Sequence, residues 1–212
     1  MAFDLSEVWF FTARHNTGVE DGLAGYKGPA KYNMYGYPSP PPAQPKNARF
    51  NAYGQLFVSC NVQPYLRTYE YNTAVSGMTT PHKEVSILSP VPVNNLDSFS
   101  FSTDGNTVCL SSASTLMVYR KSGESYELLE DISNMAEGSI YSSTISSDGT
   151  YLFYTDAGGL HILKAQDSAY TQEASLDIQL TNLLLSSDDK YLIGSIVSNN
   201  KYYRHIYKCT IT

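Results

Sequence analysis

The sequence predicts an all-β fold built from a repeated antiparallel unit, and three observations support this class. Tyrosine is unusually frequent, with 18 residues in a chain of 212, and its ring packs on a pleated sheet while its hydroxyl reaches water. Turn sequences such as Asp-Gly precede short apolar runs at several points. No stretch shows a sustained 3.6-residue period, so little helix is expected.

The repeated unit has an apolar residue, two small or polar residues, Asp, then Gly or Asp, and finally a strand-like run. Clear copies are "FSTDGNTVCLSS" from Phe101, "ISSDGTYLFYTD" from Ile145 and "LSSDDKYLIGSI" from Leu185. "FNAYGQLFVSC" from Phe50 has the same shape, and "FDLSEVWFFTA" from Phe3 is a fainter copy. The five copies begin 40 to 51 residues apart, which is the spacing of a repeat architecture.

The chemistry of the turn predicts how each unit folds. Asp-Gly favours a two-residue type I′ hairpin, so we expect such turns at Asp104-Gly105 and Asp148-Gly149. Further strand-like runs follow each hairpin, as in "STLMVYR" and "YELLEDI". Four strands in about 42 residues would form the antiparallel meander of one propeller blade.

Two of these stretches, "FSTDGNTVCLSSASTLMVYRKSGESYELLEDI" and "ISSDGTYLFYTDAGGLHILKA", resemble WD-repeat-type β-propeller blades, which often carry the same Ser-x-Asp-Gly turn. The resemblance is good over residues 97–212 and fair over 48–96, although the family's Trp-Asp and Gly-His pairs are missing. It implies that residues 1–212 form a single all-β domain, a β-propeller of about five four-stranded antiparallel blades. The alternatives are a partial ring completed by another subunit and a two-sheet β-sandwich.

The two ends of the chain bear on how the ring would close. The last unit stops at "KYYRHIYKCTIT", its third strand. We expect "EVWFFTA", near the amino terminus, to supply the fourth strand, because propellers abolish or cover their sheet edges. The alternative is that the unpaired edge pairs with another subunit.

Residues 15–47 form a Gly-, Pro- and Tyr-rich insertion that includes the run "PSPPP", expected to adopt polyproline-II structure. Loops of this length are commonly functional or mobile. One interpretation is a poorly ordered insertion in the most divergent blade. The other is a docking arm whose partner-binding residues are Tyr26, Tyr32, Tyr35, Tyr37, Pro40, Pro41 and Pro42.

Net charge and hydropathy limit the classes of partner that are expected. The net charge is −6 and no basic patch is visible, so nucleic acid is not an expected partner. No apolar run reaches the length of a membrane span, so membrane insertion is not expected either. Asp4 and Glu7 stand where a signal peptide carries positive charge, which predicts a cytoplasmic or virion-associated protein.

The sequence shows no motif for catalysis or for metal binding. Cys60, Cys109 and Cys209 are far apart and odd in number, so neither a disulfide framework nor a clustered metal site is expected. Cys60 and Cys109 lie in predicted strands and are expected to be free thiols in the core. His161 lies in a predicted strand and His205 close to one, and both are expected to be packing or surface residues. We find no nucleophile elbow, phosphate-binding Gly-rich loop or His-Glu-x-x-His, and no cofactor, metal or catalytic residue is predicted.

These observations favour a non-enzymatic protein–protein interaction or structural module, because a propeller presents loop-lined faces to protein partners. Its low charge, many tyrosines and divergent repeats resemble accessory proteins of phage particles, in heads, tails or fibres. Self-association or a larger assembly is a further expectation. One alternative is a propeller that binds a glycan or small ligand, and another is a propeller hydrolase, which would need convergent carboxylates in the central channel.

Overall fold

The computed structural model describes residues 8–14, 22–28, 33–34, 45–71, 82–92, 94–198 and 201–209. Over these ranges the chain contains nineteen β-strands and one 3₁₀ turn, Ser133–Met135, with no α-helix. The predicted all-β class is therefore confirmed. The same part of the chain contains no helix with the length and apolar character that a membrane crossing requires.

The chain divides into two compact units, and the amino-terminal one comprises Met1–Ser86 and Val91–Asn95. Its described strands form two antiparallel sheets, ordered β1-β2-β3 and β4-β5-β6-β7. Every residue of "LFVSC" in the second sheet is buried. The strands are β1 (Val8–Arg14), β2 (Gly22–Gly28), β3 (Asn33–Met34), β4 (Pro45–Phe50), β5 (Leu56–Cys60), β6 (Leu66–Tyr71) and β7 (His82–Val85).

The carboxy-terminal unit comprises Ile87–Pro90 and Leu96–Thr212 and contains three small sheets. We call them blade I (β9–β12, with β8 added in parallel beside β12), blade II (β13–β16) and blade III (β17–β19). The strands are β8 (Leu88–Ser89), β9 (Ser98–Phe101), β10 (Thr107–Ser112), β11 (Thr115–Ser122), β12 (Ser125–Asp131), β13 (Ser142–Ile145), β14 (Tyr151–Asp156), β15 (Gly159–Gln166), β16 (Ala169–Leu176), β17 (Thr181–Leu185), β18 (Tyr191–Ser198) and β19 (Lys201–Lys208).

The three blades pack face to face in chain order. A cluster that includes Cys109, Val118, Leu152 and Tyr170 fills the space between blades I and II. A second cluster, which includes Phe153, Leu160, Leu183 and Leu192, lies between blades II and III. All six residues of β10 and five of the six in β14 are buried. These two middle strands are therefore covered on both faces and show no alternation of buried and exposed residues.

The turn that opens each blade differs from the predicted type I′ hairpin. Only the second turn residue has a positive φ: 73° at Gly105, 74° at Gly149 and 57° at Asp189. Five residues, 102–106, separate β9 from β10. The Asp104 carboxylate accepts hydrogen bonds from the Ser102 hydroxyl at 2.6 Å and the Asn106 amide at 2.9 Å. The Asp serves as a side-chain cap that orders the loop, so the wider turn is favoured over the tight one.

These turns also link neighbouring blades. The Thr103 amide of blade I donates to the Ser147 carbonyl of blade II at 2.6 Å. The Ser147 amide donates in turn to both carboxylate oxygens of Asp189 in blade III, at 2.9 and 3.0 Å. Asp189 stands at the third turn, where the other two turns have Gly. The left-handed backbone conformation is unfavourable for a residue with a side chain, and the inter-blade hydrogen bonds of Asp189 compensate for that cost.

In blades I and II, a tyrosine of the outer strand donates a hydrogen bond to the turn that opens the same blade. Tyr126 in β12 donates its hydroxyl to the Gly105 carbonyl at 2.5 Å. Tyr170 in β16 makes the equivalent bond to the Gly149 carbonyl at 2.5 Å. Both rings are buried, so the repeat places the same polar contact in the same position of two successive blades.

The structure revises two expectations about the amino-terminal part. Residues 15–47 contain β2, β3 and the start of β4, so the range is not one uninterrupted loop. The predicted donor strand "EVWFFTA" lies largely in β1, which pairs with β2 from Val8↔Gly28 to Arg14↔Gly22. Among the described residues, blade III has three strands and none of them is β1.

Cys60 and Cys109 agree with the prediction from sequence. Cys60 and Cys109 are buried free thiols, and Cys209 is partly exposed and also free. Burial raises the pKa of Cys60 to about 11 and that of Cys109 to about 12. Both thiols are therefore protonated and unreactive at neutral pH, as core residues are.

We expect Tyr126→Phe and Tyr170→Phe each to lower the free energy of unfolding by about 1 to 2 kcal/mol, because each leaves a buried carbonyl without its donor. Chemical denaturation followed by circular dichroism measures the effect. Tyr203→Phe is the control, since Tyr203 is 48% exposed. Equal midpoints for all three variants would contradict this assignment.

The turn carboxylates predict an acid-sensitive fold. Hydrogen bonds from Ser102 lower the pKa of Asp104, and those from Ser186 lower the pKa of Asp188. Burial raises the pKa of Asp148, but hydrogen bonds from Ser146 and Thr150 outweigh it and the net shift is downward.

A carboxyl whose pKa is lower in the folded state stabilises the fold above its unfolded pKa, about 3.9 for Asp, and this contribution disappears as pH falls through the folded pKa. Denaturation midpoints should therefore decline below about pH 4. The triple variant with Asn at these three positions should decline less steeply than Asp177→Asn, whose exposed carboxylate lies outside the turns. Parallel slopes would count against the turns as the cause.

Candidate functional site

The residues predicted as a docking arm fall mostly outside the described part of the chain. Tyr32, Tyr35, Tyr37, Pro40, Pro41 and Pro42 all lie there. The backbone of Tyr26 is in β2, opposite Phe10 of β1 and Met34 of β3. The docking arm stays a prediction.

The structure brings together a carboxylate and an imidazole that the sequence analysis treated separately. Asp156 ends β14 and is 0% exposed. Its Oδ1 accepts hydrogen bonds from the Gly158 amide and from Nε2 of His161, both at 2.8 Å. Its Oδ2 accepts from the Glu137 amide at 2.7 Å. We call this arrangement the Asp156–His161 pair.

The carboxylate determines the tautomer of His161. An ionised carboxylate only accepts hydrogen bonds, so Nε2 must carry the proton that it donates to Asp156. In a neutral imidazole, Nδ1 then has a bare lone pair. This Nδ1 is one of three buried side-chain polar atoms in the described residues that have no hydrogen-bond partner.

Local sequence explains why the two side chains meet. Tyr154 and His161 are directly paired across the β14–β15 hairpin, and Asp156 is paired with Gly159. Residues two apart on a strand share a face, so Tyr154, Asp156 and His161 lie on the same side of the hairpin. The run "YTDAGGLH" therefore contained the signal for the pair, given a tight turn at Ala157-Gly158.

Two further groups enclose the pair. The Tyr154 ring stacks on His161 with centroids 4.6 Å apart and planes 14° apart. The connection between β12 and β13 covers the turn, and its Glu137 carbonyl accepts the Ala157 amide at 3.2 Å. A Cβ added to Gly158 would lie 2.9 Å from a carboxylate oxygen of Glu137, so a side chain there would require the Glu137 side chain to move.

The pair is peculiar to blade II. In blade I, Ser112 and Met117 occupy the positions of Asp156 and His161 in the same hairpin register. In blade III, Ile196 and His205 occupy them, and this His is exposed. A packing requirement common to all blades would recur in all of them, so the pair is an addition to the repeat.

A His that is oriented by a carboxylate can act as a general base, because the carboxylate holds the ring and stabilises the imidazolium once it forms. Sequence reasoning expected His161 to be a packing residue. The structure confirms that His161 is buried. It also shows the hydrogen bond to Asp156 that would allow His161 to act as a general base. Within the described ranges, no group of three or more His, Cys, Asp or Glu side chains is arranged to hold a metal ion.

Comparison with known proteins identifies the fold. No family model and no curated protein matches the sequence. In three dimensions the chain is similar to a putative 6-phosphogluconolactonase from Bacteroides uniformis, with 15% identity and a TM-score of 0.62 over 99% of this chain. A putative 6-phosphogluconolactonase from Bacteroides fragilis has 15% identity and a TM-score of 0.61 over 94% of this chain. Kluyveromyces lactis Hsv2 has 10% identity and a TM-score of 0.58 over 95% of this chain and 69% of that one.

These likenesses establish a β-propeller fold, which confirms the fold class predicted from the sequence. At such identities they show the fold alone. The chain spans 65% of the B. uniformis protein and 63% of the B. fragilis protein.

The comparisons also contradict the prediction of a non-enzymatic interaction or structural module. Both Bacteroides propellers carry the name of a lactone hydrolase, and nothing in the comparisons supports a phage or virion protein. The prediction failed because it rested on missing linear motifs, whereas propeller sites combine residues from separate strands and loops. The abundant tyrosines include fully buried rings at Tyr69, Tyr119, Tyr126 and Tyr154, so they did not indicate an adhesive surface.

We expect Asp156→Ala to lower the free energy of unfolding by about 3 kcal/mol or more, because it leaves two amides and one imidazole N–H without an acceptor. Urea denaturation checks this. The control is Asp131→Ala, an exposed Asp that accepts from the Ser133 amide and hydroxyl at 3.0 and 2.5 Å, for which a loss of about 1 kcal/mol is expected. Similar losses for both would show that Asp156 is no more than a surface cap.

Proposed function

We propose that this protein is a propeller-type hydrolase that opens the lactone of a sugar acid, with His161 as its general base. The names of the two Bacteroides neighbours supply the reaction class. The observation that carries the proposal is the buried imidazole of His161, with Nε2 bound to a carboxylate and Nδ1 without a partner. Unpaired buried polar atoms are uncommon in native proteins, and a catalytic role is one of the reasons for keeping them.

The proposed reaction needs one proton acceptor and a water molecule. Nδ1 of His161 takes a proton from water as the water oxygen forms a bond to the lactone carbonyl carbon. The ring C–O bond then breaks, and the proton passes to the departing alkoxide, which gives a hydroxy acid. Asp156 holds the ring and stabilises the positive imidazolium between these steps.

Access to Nδ1 requires movement of the connection between β12 and β13. His161 is only 7% exposed, and the Glu137 amide of the connection is bound to Asp156. Residues Ser133, Asn134, Met135, Glu137, Gly138, Ser139 and Tyr141 of this connection are partly or fully exposed. Gly138 has a φ of 81°. We propose that opening of this connection admits the substrate to the Asp156–His161 pair.

A hydrolysis assay tests the proposal. Glucono-1,5-lactone and its 6-phosphate are offered to the purified protein, and acid release is followed with a pH indicator above the spontaneous rate. His161→Gln should lower kcat/KM at least about 100-fold, because an amide still donates to Asp156 but accepts no proton. His205→Gln, at the equivalent position of blade III, should leave kcat/KM unchanged.

Thermal melting of both variants separates loss of chemistry from loss of fold. The proposal fails if the wild-type protein adds nothing to the spontaneous rate with either lactone. It also fails if folded His161→Gln keeps wild-type activity.

A further inference from the structure

A cleft of about 280 Å³ lies between blades II and III, near the outer strands. Its walls are mainly apolar side chains of β14, β15, β16 and β18, and Glu173, Tyr207 and Lys208 line it as well. This volume lies slightly below the usual range for small-molecule sites. The interface between blades I and II shows which kind of side chain fills the corresponding space.

Between blades I and II, the corresponding space is filled by a tyrosine from a fourth strand. Tyr170 of β16 is 2% exposed and packs in a cluster with Val118 and Ile132 of blade I. Its amide donates to a carboxylate oxygen of Glu130 in blade I at 2.6 Å. By hairpin register, Ile162 and Leu176 of blade II correspond to Val118 and Ile132, and both line the cleft.

In the described residues blade III ends at its third strand, β19, and no strand pairs with the outer edge of β19. The described side chains along β19 are largely exposed, with Ile206 at 68%. An eight-residue edge beside an apolar cleft can accept a further strand, since the unpaired backbone groups supply hydrogen bonds and the cleft accepts a side chain.

The charge of this edge indicates what kind of strand it accepts. β19 has the sequence "KYYRHIYK", with three Lys or Arg residues and no acid. Antiparallel pairing of two copies about its centre would place Lys201 opposite Lys208, which disfavours self-pairing. In blade I, Arg120 occupies the position of Lys208 and is paired with Glu127 of the acidic fourth strand "SYELLED".

We propose that the cleft and the β19 edge bind an extended acidic segment of a partner protein, with a tyrosine of that segment filling the cleft. The segment lies antiparallel to β19, and an acidic residue faces Lys208. Its tyrosine occupies the place that Tyr170 has in the preceding interface. The Glu173 carboxylate lines the cleft beside Ala174. In this proposal it accepts the backbone amide of that tyrosine, as the Glu130 carboxylate accepts the amide of Tyr170.

The probe is a fluorescein-labelled peptide, SYELLEDI, which reproduces residues 125–132 of blade I. Its binding to the full-length protein is measured by fluorescence anisotropy. Saturable binding is expected, and replacing the peptide's tyrosine by alanine should weaken it at least about tenfold, as for a buried aromatic anchor.

Two protein variants locate the site. Ala174→Trp fills the cleft and should weaken peptide binding at least about tenfold, and Lys208→Glu should weaken it about threefold or more at low salt. Lys83→Glu, at an exposed lysine of β7, should have no effect. Unchanged melting temperatures show that the variants are folded.

The proposal is overturned if the peptide shows no saturable binding up to about 1 mM, or if binding is insensitive to Ala174→Trp. Sedimentation velocity supplies a further test. If the protein forms dimers that Ala174→Trp dissociates, the occupant is a second copy and the acidic partner is wrong.

Discussion

The fold depends on one packing constraint: the middle strands β10 and β14 are buried on both faces, so each needs packed neighbours on both sides. All six residues of β10 are buried, and five of the six in β14. A sheet with one wet face could not use such strands, because burial of apolar area is the main favourable term in folding. The stability of a blade therefore rests on its neighbours as much as on its own hydrogen bonds.

The same constraint governs the polar groups. A carboxylate such as Asp156, with no exposed surface, is tolerated only because three donors surround it. The turn carboxylates, such as Asp188, keep solvent contact and organise loops instead. The turn carboxylates thus order loops at the surface, whereas Asp156 is buried together with His161, whose Nδ1 has no hydrogen-bond partner. The unused nitrogen distinguishes this pair from a purely structural cap.

Stacking also explains why the end of a series of blades differs from its interior. An interior interface has a fourth strand and a buried tyrosine, as at Tyr170. At blade III the described chain supplies three strands, and the cleft lies where the fourth strand of an interior blade would pack. The open cleft arises at blade III, where the described chain lacks a fourth strand. The Asp156–His161 pair arises in blade II, where Asp stands at a position of the repeat that has Ser in blade I and Ile in blade III.

Sequence alone determined the repeat and its class. The Ser-x-Asp turns at blade spacing and the strands apolar on both faces predict antiparallel blades, because turn chemistry and burial pattern are local properties. Cys60 and Cys109 were likewise predictable as core thiols. Even so, the type I′ geometry predicted for the Asp-Gly turns was wrong, because the carboxylate cap at Asp104 favours a wider loop.

Only the tertiary structure decided the site. The hairpin run "YTDAGGLH" places Asp156 and His161 on one face, but their burial, their 2.8 Å hydrogen bond and the enclosing Glu137 depend on the connection from the preceding blade. The cleft is lined by side chains of two blades, so it can be recognised only once the packing of these blades is known. A sequence pattern shows which residues alternate along a strand. Contacts between blades join residues that are tens of positions apart, so no local pattern predicts which of them will meet.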